Sequence, residues 1–252
     1  MLAQGLLSHL PGMTPENDSP RFLTTRWTMV LPGHGEDSRA KAWDHVCRTY
    51  WYPVYAFIRR RGTLPEDASD LTQGFFAKLI GQDWLSQVER RETRFSTLLI
   101  TILKNYLIKQ HRREAAQKRG GGQLPVPLDF AEGERWFGQE PASNDTPEVH
   151  FEKRWALAVM DAALLRLDEE SAATGKSRLF AALSPFLSRE PEPGEYEAAS
   201  RTLGILPRSV AVAVHRMRQD FRAMVKEEVA AGLKDPTMVQ EEMRALAAAL
   251  GT

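Results

Sequence analysis

Hydrophobic residues three and four positions apart recur along most of the chain, which is the pattern of amphipathic helices. Residues 42–61 carry a broad aromatic stripe at this spacing. Leu71, Phe75 and Leu79 lie four apart on a second predicted helix, and a third extends to about Lys118. No segment alternates apolar and polar residues as a half-buried strand would. The pattern therefore predicts an all-α fold.

Glycine, proline and acidic residues interrupt the helical pattern between residues 120 and 148. This stretch has six acidic side chains and one basic side chain, a composition typical of a flexible linker. The helical pattern resumes near Glu148 and continues to the C-terminus. We therefore predict a flexible leader, a first small helical domain, a flexible acidic linker, a second small helical domain and a C-terminal helical extension, over residues 1–24, 25–119, 120–148, 149–222 and 223–252.

The charge balance limits how the chain could meet nucleic acid. The chain has 33 basic and 33 acidic residues, with an excess of six bases in residues 1–128 and six acids in residues 129–252. A protein that bound duplex DNA alone through phosphates would be more basic overall. A single cysteine, Cys47, excludes a disulfide framework and fits a reducing compartment. We expect a cytoplasmic protein with no signal peptide and no membrane insertion.

A second predicted helix begins near Pro65. Proline favours the first helical position, and the acids Glu66 and Asp67 suit the first turn. Asp70 and Gln73 face away from the apolar positions. A solvated polar face is the ordinary interpretation, and a partner-binding face is the alternative.

The segment from Glu89 to Arg119 is basic, with nine bases and three acids. At 100° per residue around the helix axis, four polar residues fall within a sector about 80° wide that lies apart from the apolar sector. They are Thr101, Asn105, Lys109 and Arg112. Phe95 lies at the start of this helix. Cationic side chains hold phosphates and an aromatic side chain can hold an unstacked base. The pattern fits either nucleic-acid binding or a solvated basic face.

Residues 196–221 predict a helix-turn-helix. Gly204 suits the turn, Pro207 suits the first position of the second helix, and Val210, Val214 and Met217 would form its buried stripe. Such a helix fits the major groove and meets base edges with its N-terminal residues. The residues outside the stripe are Arg208, Ser209, Ala211, Val212, His215 and Arg216.

Taken in order, these segments resemble the bacterial RNA polymerase sigma factors of the extracytoplasmic-function (ECF) type. Residues 50–62 resemble the first helix of sigma region 2, and residues 65–76 are similar to the polymerase-binding helix. Residues 94–113 resemble the segment that melts and reads the −10 element, and residues 196–218 the helix-turn-helix of region 4. The resemblance covers about residues 25–250.

The resemblance implies a non-catalytic subunit that directs core RNA polymerase to promoter DNA. The implied polymerase-binding residues are Asp67, Asp70, Leu71, Gln73 and Phe76. The implied −10 residues are Arg94, Phe95, Ser96, Asn105, Lys109, Arg112 and Arg113. The implied −35 residues are Arg208, Ser209, Ala211, His215, Arg216 and Arg218. An anti-sigma factor or another regulatory partner is a further implied binder, and we expect no metal and no cofactor.

Two alternatives remain beside the sigma factor. One is a stand-alone helix-turn-helix regulator that dimerises through the C-terminal helices. The other is a sigma-like interaction module without promoter activity, because Leu206 lies where an N-cap Ser or Thr is common and Ala211 where the family usually has a polar or basic residue. An enzyme is disfavoured, since the sequence has no Gly-rich phosphate loop, metal-ligand cluster or activated nucleophile.

Overall fold

The computed structural model describes residues 36–81, 95–114, 129–140, 144–231 and 236–251, which are helices and short connections without a strand. The α-helices are α1 Glu36–Arg60, α2 Pro65–Gly81, α3 Phe95–Glu114, α4 Phe130–Gln139, α5 Pro147–Ala173, α6 Ser177–Leu183, α7 Glu195–Leu203, α8 Pro207–Ala231 and α9 Val239–Gly251. Short 3₁₀ helices cover Ser184–Leu187 and Pro236–Met238. The all-α prediction is confirmed, and the predicted leader lies outside the described residues.

Helix α5 lies at the centre of the molecule and packs against α1, α3, α6, α8 and α9. It begins at an N-cap, where the Thr146 hydroxyl accepts a hydrogen bond from the Val149 N–H at 3.3 Å. The ring of Phe151 meets Phe57 of α1 edge to face, with centroids 6.1 Å apart. Farther along, Arg166 pairs with Glu227 of α8 at 2.6 Å. One buried apolar cluster therefore runs from α1 through α5 to α8 and α9.

The turn between α7 and α8 has the geometry of a helix-turn-helix. Gly204 adopts a φ of 71°, a left-handed value that glycine reaches without strain. Its N–H donates to the Ser200 carbonyl at 2.8 Å. The Leu206 carbonyl then accepts from Ser209 and Val210 at the start of α8. Ala199 is buried at the foot of this turn. The small residue lets the two helices lie close together.

Helix α4 lies inside the stretch that the sequence predicts to be a flexible linker. Its N-cap is Asp129, whose carboxylate accepts from the Glu132 N–H at 2.8 Å. Trp136 packs on Trp51 and Tyr52 of α1, with ring centroids 5.8 and 5.1 Å apart. Residues 130–139 are therefore a helix docked on α1, and the predicted flexibility of the linker is not confirmed for this part. Its aromatic residues give the segment an apolar face to bury, which its acidic composition conceals.

The acidic side chains of α4 pair with the basic end of α1. Glu134 accepts from Arg59 through both carboxylate oxygens, at 2.7 and 2.9 Å, and from the Tyr55 hydroxyl at 2.5 Å. Bidentate Arg–carboxylate pairs fix orientation as well as contributing energy. The guanidinium of Arg59 also lies over the Phe137 ring, 4.8 Å from its centroid. These contacts hold α4 against α1.

Glu140, directly after α4, is a buried carboxylate that joins α1, α4 and α5. It lies 2.6 Å from the Tyr52 hydroxyl, 2.8 Å from His150 Nε2, 2.7 Å from Arg154 and 3.0 Å from Arg60. Burial alone would raise the pKa of Glu140, but the close approach of His150, the hydrogen bond from Tyr52 and the charge of Arg154 outweigh it. The pKa of Glu140 falls from 4.5 to about 2.

The predicted domain boundaries divide elements that pack on each other. The first and second predicted domains share the apolar cluster around α5, and α8 continues as one helix through residues 222 and 223. The division into 25–119 and 149–222 stays a prediction about units that could separate. Within the described ranges, no helix has the length and apolar character needed to cross a bilayer.

Substitution of Gly133 tests the docking of α4. A Cβ at this position would lie 2.7 Å from two atoms of the Trp51 ring, and Trp51 is itself buried. We expect Gly133→Ala to lower the free energy of unfolding by about 1–3 kcal/mol, as overpacking does. Denaturant unfolding followed by circular dichroism measures this.

Gly138→Ala is the control in the same helix, because a Cβ added at this position would have no atom within 4 Å. Alanine favours the helix there, so this variant should gain up to about 1 kcal/mol. Equal stability changes in both variants would contradict the close packing of α4 on Trp51.

Glu140→Gln tests the buried carboxylate. Removing its charge leaves Arg60 and Arg154 without their buried partner, so we expect a loss of about 3 kcal/mol in the free energy of unfolding at pH 7. The folded-state pKa lies below the unfolded one, so the wild-type advantage is complete above pH 4.5 and declines as pH falls toward about 2. Unfolding curves from pH 7 to pH 3 measure it. Glu169→Gln, an exposed carboxylate, should change stability little at any pH.

Candidate nucleic-acid and polymerase interface

The first candidate surface lies along α2. The helix starts where the Ala68 N–H donates to the Leu64 carbonyl at 2.8 Å. Asp67 and Asp70 are exposed, and Leu71 and Gln73 are half-buried. Leu64 beside them is 67% exposed. The structure thus brings acidic and apolar groups together on a face that a basic and apolar partner surface could cover.

Phe76 does not belong to that surface. Its ring is completely buried and meets Phe75 edge to face at 5.5 Å. In this packing it supports α2 from the inside, and the direct contact with polymerase predicted for Phe76 stays a prediction. The spacing of the sequence does not separate this position from its half-exposed neighbours.

The second candidate surface lies on α3. Leu99, Leu103 and Tyr106 are buried, and the Tyr106 ring packs on Phe75 at 5.7 Å. On the opposite side, the structure exposes four side chains in the polar sector: Thr101, Asn105, Lys109 and Arg112. The predicted basic face is therefore open to solvent. Lys104, at its edge, instead pairs with Glu148 of α5 at 2.7 Å.

The N-terminal end of α3 is enclosed. Ser96 is fully buried, and its backbone N–H lies 3.4 Å from Oε1 of Glu242, itself a buried residue of α9. Ser96 is thus not available to a DNA base in this packing, and its −10 role stays a prediction. Arg94 and the side chains of Phe95 and Arg113 lie outside the described residues.

The third candidate surface lies on the first half of α8. Val210, Val214, Met217 and Phe221 are buried on one side. The exposed predicted residues on the other side are Arg208, Ser209, His215 and Arg216, with Ala211 partly covered. Val212 lies among them and is 51% exposed. The structure therefore presents a mixed cationic and apolar face at the N-terminal end of the second helix of the helix-turn-helix.

Arg218 is not part of that face. Its guanidinium donates to the carbonyls of Phe186 and Arg189 at 3.0 and 2.9 Å and to Glu190 at 2.8 Å. These bonds give Arg218 a structural role, because they hold the segment before α7 against α8, and its −35 contact stays a prediction. The sequence gives no sign of these bonds, because the partners are mostly backbone atoms about 30 residues away.

Two features of the structure were not predicted from the sequence. The carboxylate of Glu242 reaches α3 from the C-terminal extension, which no spacing in the sequence could indicate. The helix at 130–139 had a usable signal, since Asp129 is followed three residues later by Glu132, the pattern of a capped helix start. Within the described ranges, no group of three His, Cys, Asp or Glu residues could hold a metal ion.

Comparison with known proteins places the chain in a family. The family model described as "ECF sigma factor" matches residues 57–190, which is more than half of the chain and extends from the end of α1 to just before α7. No curated protein and no solved structure gives a significant match to the chain. The matched family is not a family of enzymes. The chain therefore belongs to the ECF sigma factor family, whose members take part in transcription initiation with RNA polymerase and promoter DNA.

Proposed function

We propose that this sigma factor divides promoter recognition between α3 and α8. The exposed face of α3 meets the −10 element and supports strand opening, and the exposed face of α8 reads the −35 element. The observation that carries this proposal is the alignment of Asn105, Lys109 and Arg112 on one open side of a helix whose other side is buried. We propose that the protein acts in the cytoplasm, where polymerase and DNA are found.

The α3 face suits a nucleic-acid strand. From Asn105 to Arg112 the helix advances about 10 Å, which is about three nucleotide steps of 3.4 Å. Lys109 and Arg112 can each hold a phosphate, and Asn105 can donate and accept hydrogen bonds. The face can therefore bind several groups of one DNA strand at once after the two strands have separated.

The α2 face suits polymerase. Asp67 and Asp70 are exposed carboxylates beside the apolar Leu64 and the half-buried Leu71. Charged groups at the rim of an interface mainly set the rate and specificity of association, and apolar groups supply most of its affinity. A partner surface with bases around an apolar centre fits this arrangement. We assign the polymerase contact to this face.

Reading both promoter elements requires the chain to open. Elements at −10 and −35 lie about 25 base pairs apart, or about 85 Å at 3.4 Å per base pair. A compact chain of 252 residues has a radius of gyration of about 18 Å, and α5, which holds the two halves together, is about 40 Å long. We infer that the contact between α1 and α5, including Phe57 and Phe151, separates when the chain binds polymerase.

Two double variants test whether α2 binds polymerase and α3 opens the promoter. Lys109→Ala with Arg112→Ala should reduce promoter opening by about tenfold. It should also reduce the slope of log affinity against log salt concentration by about two, because two phosphate contacts are lost. Polymerase affinity should be unchanged. Asp67→Ala with Asp70→Ala should weaken polymerase binding instead. Permanganate reactivity of promoter thymines measures opening, and fluorescence anisotropy with core polymerase measures association.

Lys226→Ala is the control for lost charge, because Lys226 is an exposed cation in the second half of α8. It should leave both measurements unchanged. If the Lys109 and Arg112 variant lost polymerase affinity and promoter opening to the same extent, the role given to α3 would be wrong.

Distance measurement tests the opening. Spin labels at Thr101→Cys and Asp220→Cys should lie on the order of 40 Å farther apart in the polymerase–promoter complex than in the free chain. The native Cys47 will not take up label, because it is fully buried and burial, with the charge of Asp44, raises its pKa to about 12.

Labels at Arg201→Cys and Asp220→Cys form the control pair, since both lie within the helix-turn-helix and α8. Their separation should stay constant. An unchanged Thr101–Asp220 distance in the promoter complex would refute the separation of α1 from α5.

A further inference from the structure

Val212 occupies the middle of the exposed face of α8. At 100° per residue, Arg208, Val212, His215 and Arg216 lie within about 100° of one another, and Val212 is near the centre of this sector. The buried residues Val210, Val214 and Met217 point to the other side. Val212 is 51% exposed. An apolar, β-branched side chain thus lies among cationic ones on the face that the proposed function directs toward DNA.

A single exposed apolar residue is common on protein surfaces and needs no explanation by itself. The position of Val212 is less ordinary, because Arg208 lies four residues before it and Arg216 four residues after it. Each of these cations is about 6 Å away along the helix axis. Arg218, the next arginine, is held by Phe186, Arg189 and Glu190. If the two exposed arginines bind the DNA backbone or the bases, Val212 is held between them against the floor of the major groove.

We propose that Val212 recognises a thymine of the −35 element through the C5 methyl group. This inference rests on the proposed −35 role of α8. In the major groove, thymine is the base that presents a methyl group, and apolar side chains contact it there. Valine has no donor or acceptor with which to satisfy the other base edges. A polar edge pressed against it would lose its water without a replacement hydrogen bond.

The residue therefore supplies sequence preference, and the neighbouring arginines supply affinity. Contact between the valine and one methyl group removes about one methylene equivalent of apolar surface from water, which corresponds to about a fourfold change in binding. The effect is confined to one base step, because the side chain of valine is short. Arg208 and Arg216 would act on phosphates or guanines, independently of that methyl group.

The experiment uses the full chain in complex with core RNA polymerase. Transcription of a promoter library first identifies a bound promoter and its −35 element. Thymines of that element are then replaced by deoxyuridine on both strands, which removes the methyl groups and leaves the hydrogen-bonding edges intact. We expect the wild-type complex to bind the deoxyuridine promoter about fourfold more weakly than the thymine promoter.

Val212→Ala, which lacks both γ-methyl groups and so ends short of the base, should bind the two promoters with nearly equal affinity. Val212→Thr, which keeps one γ-methyl group, should retain part of the discrimination. Arg216→Ala is the control: it should weaken binding to both promoters and preserve their ratio. Because position 212 is exposed, these variants should keep the wild-type circular dichroism and melting temperature, which excludes unfolding as the cause.

Three outcomes would overturn the inference, and they differ from failure of the proposed function. Equal binding of thymine and deoxyuridine promoters by the wild type, discrimination retained by Val212→Ala, or a −35 element without thymine would each overturn the role of Val212 alone. If a scrambled −35 element bound as tightly as the intact one, the −35 role of α8 and the role of Val212 would both be overturned.

Discussion

The burial of one side of α5 against α1 and of its later turns against α8 sets the positions of all three candidate surfaces. Phe151 packs on Phe57, and Tyr50 and Trp155 are buried in the same apolar cluster. Complete burial of a large apolar side chain contributes about 1.5–3 kcal/mol, so these contacts are strong enough to hold the halves together. The helices that carry the polar faces are oriented by this shared helix.

The zero net charge has a structural counterpart. The acids after residue 128 are not spread evenly, because Glu134 and Glu140 pair with Arg59 and Arg60 at the end of α1. Glu148 takes up Lys104 in the same way. Exposed basic residues remain on α3 and α8. Local patches of positive charge therefore exist on a neutral chain, as the proposed contacts with DNA require.

Helix content and helix faces could be predicted from the sequence because they follow from local periodicity. The 100° rule separated the buried Leu99 and Leu103 from the exposed Asn105 and Lys109, and the structure confirms that separation. The burial of Phe76 and Ser96 and the bonds of Arg218 depend on partners distant in the chain or on how deeply a helix sinks into the core. Periodicity carries no such information. The docking of residues 130–139 was not predicted for another reason. The acidic composition favoured a linker more strongly than the short capping pattern and two aromatic residues favoured a helix.

Helix α8 is continuous from Pro207 to Ala231. Its first half carries the exposed face, and one side of its second half is buried through Phe221, Met224 and Val229. The two halves therefore share one helical phase. Inserting or deleting a single residue between them would turn Arg208 and Arg216 by about 100° around the axis, toward the protein or away from the groove. A change in chain length between Met217 and Phe221 should consequently not be tolerated. Among diverging copies of this protein, that spacing should stay constant while base preference drifts by substitution alone.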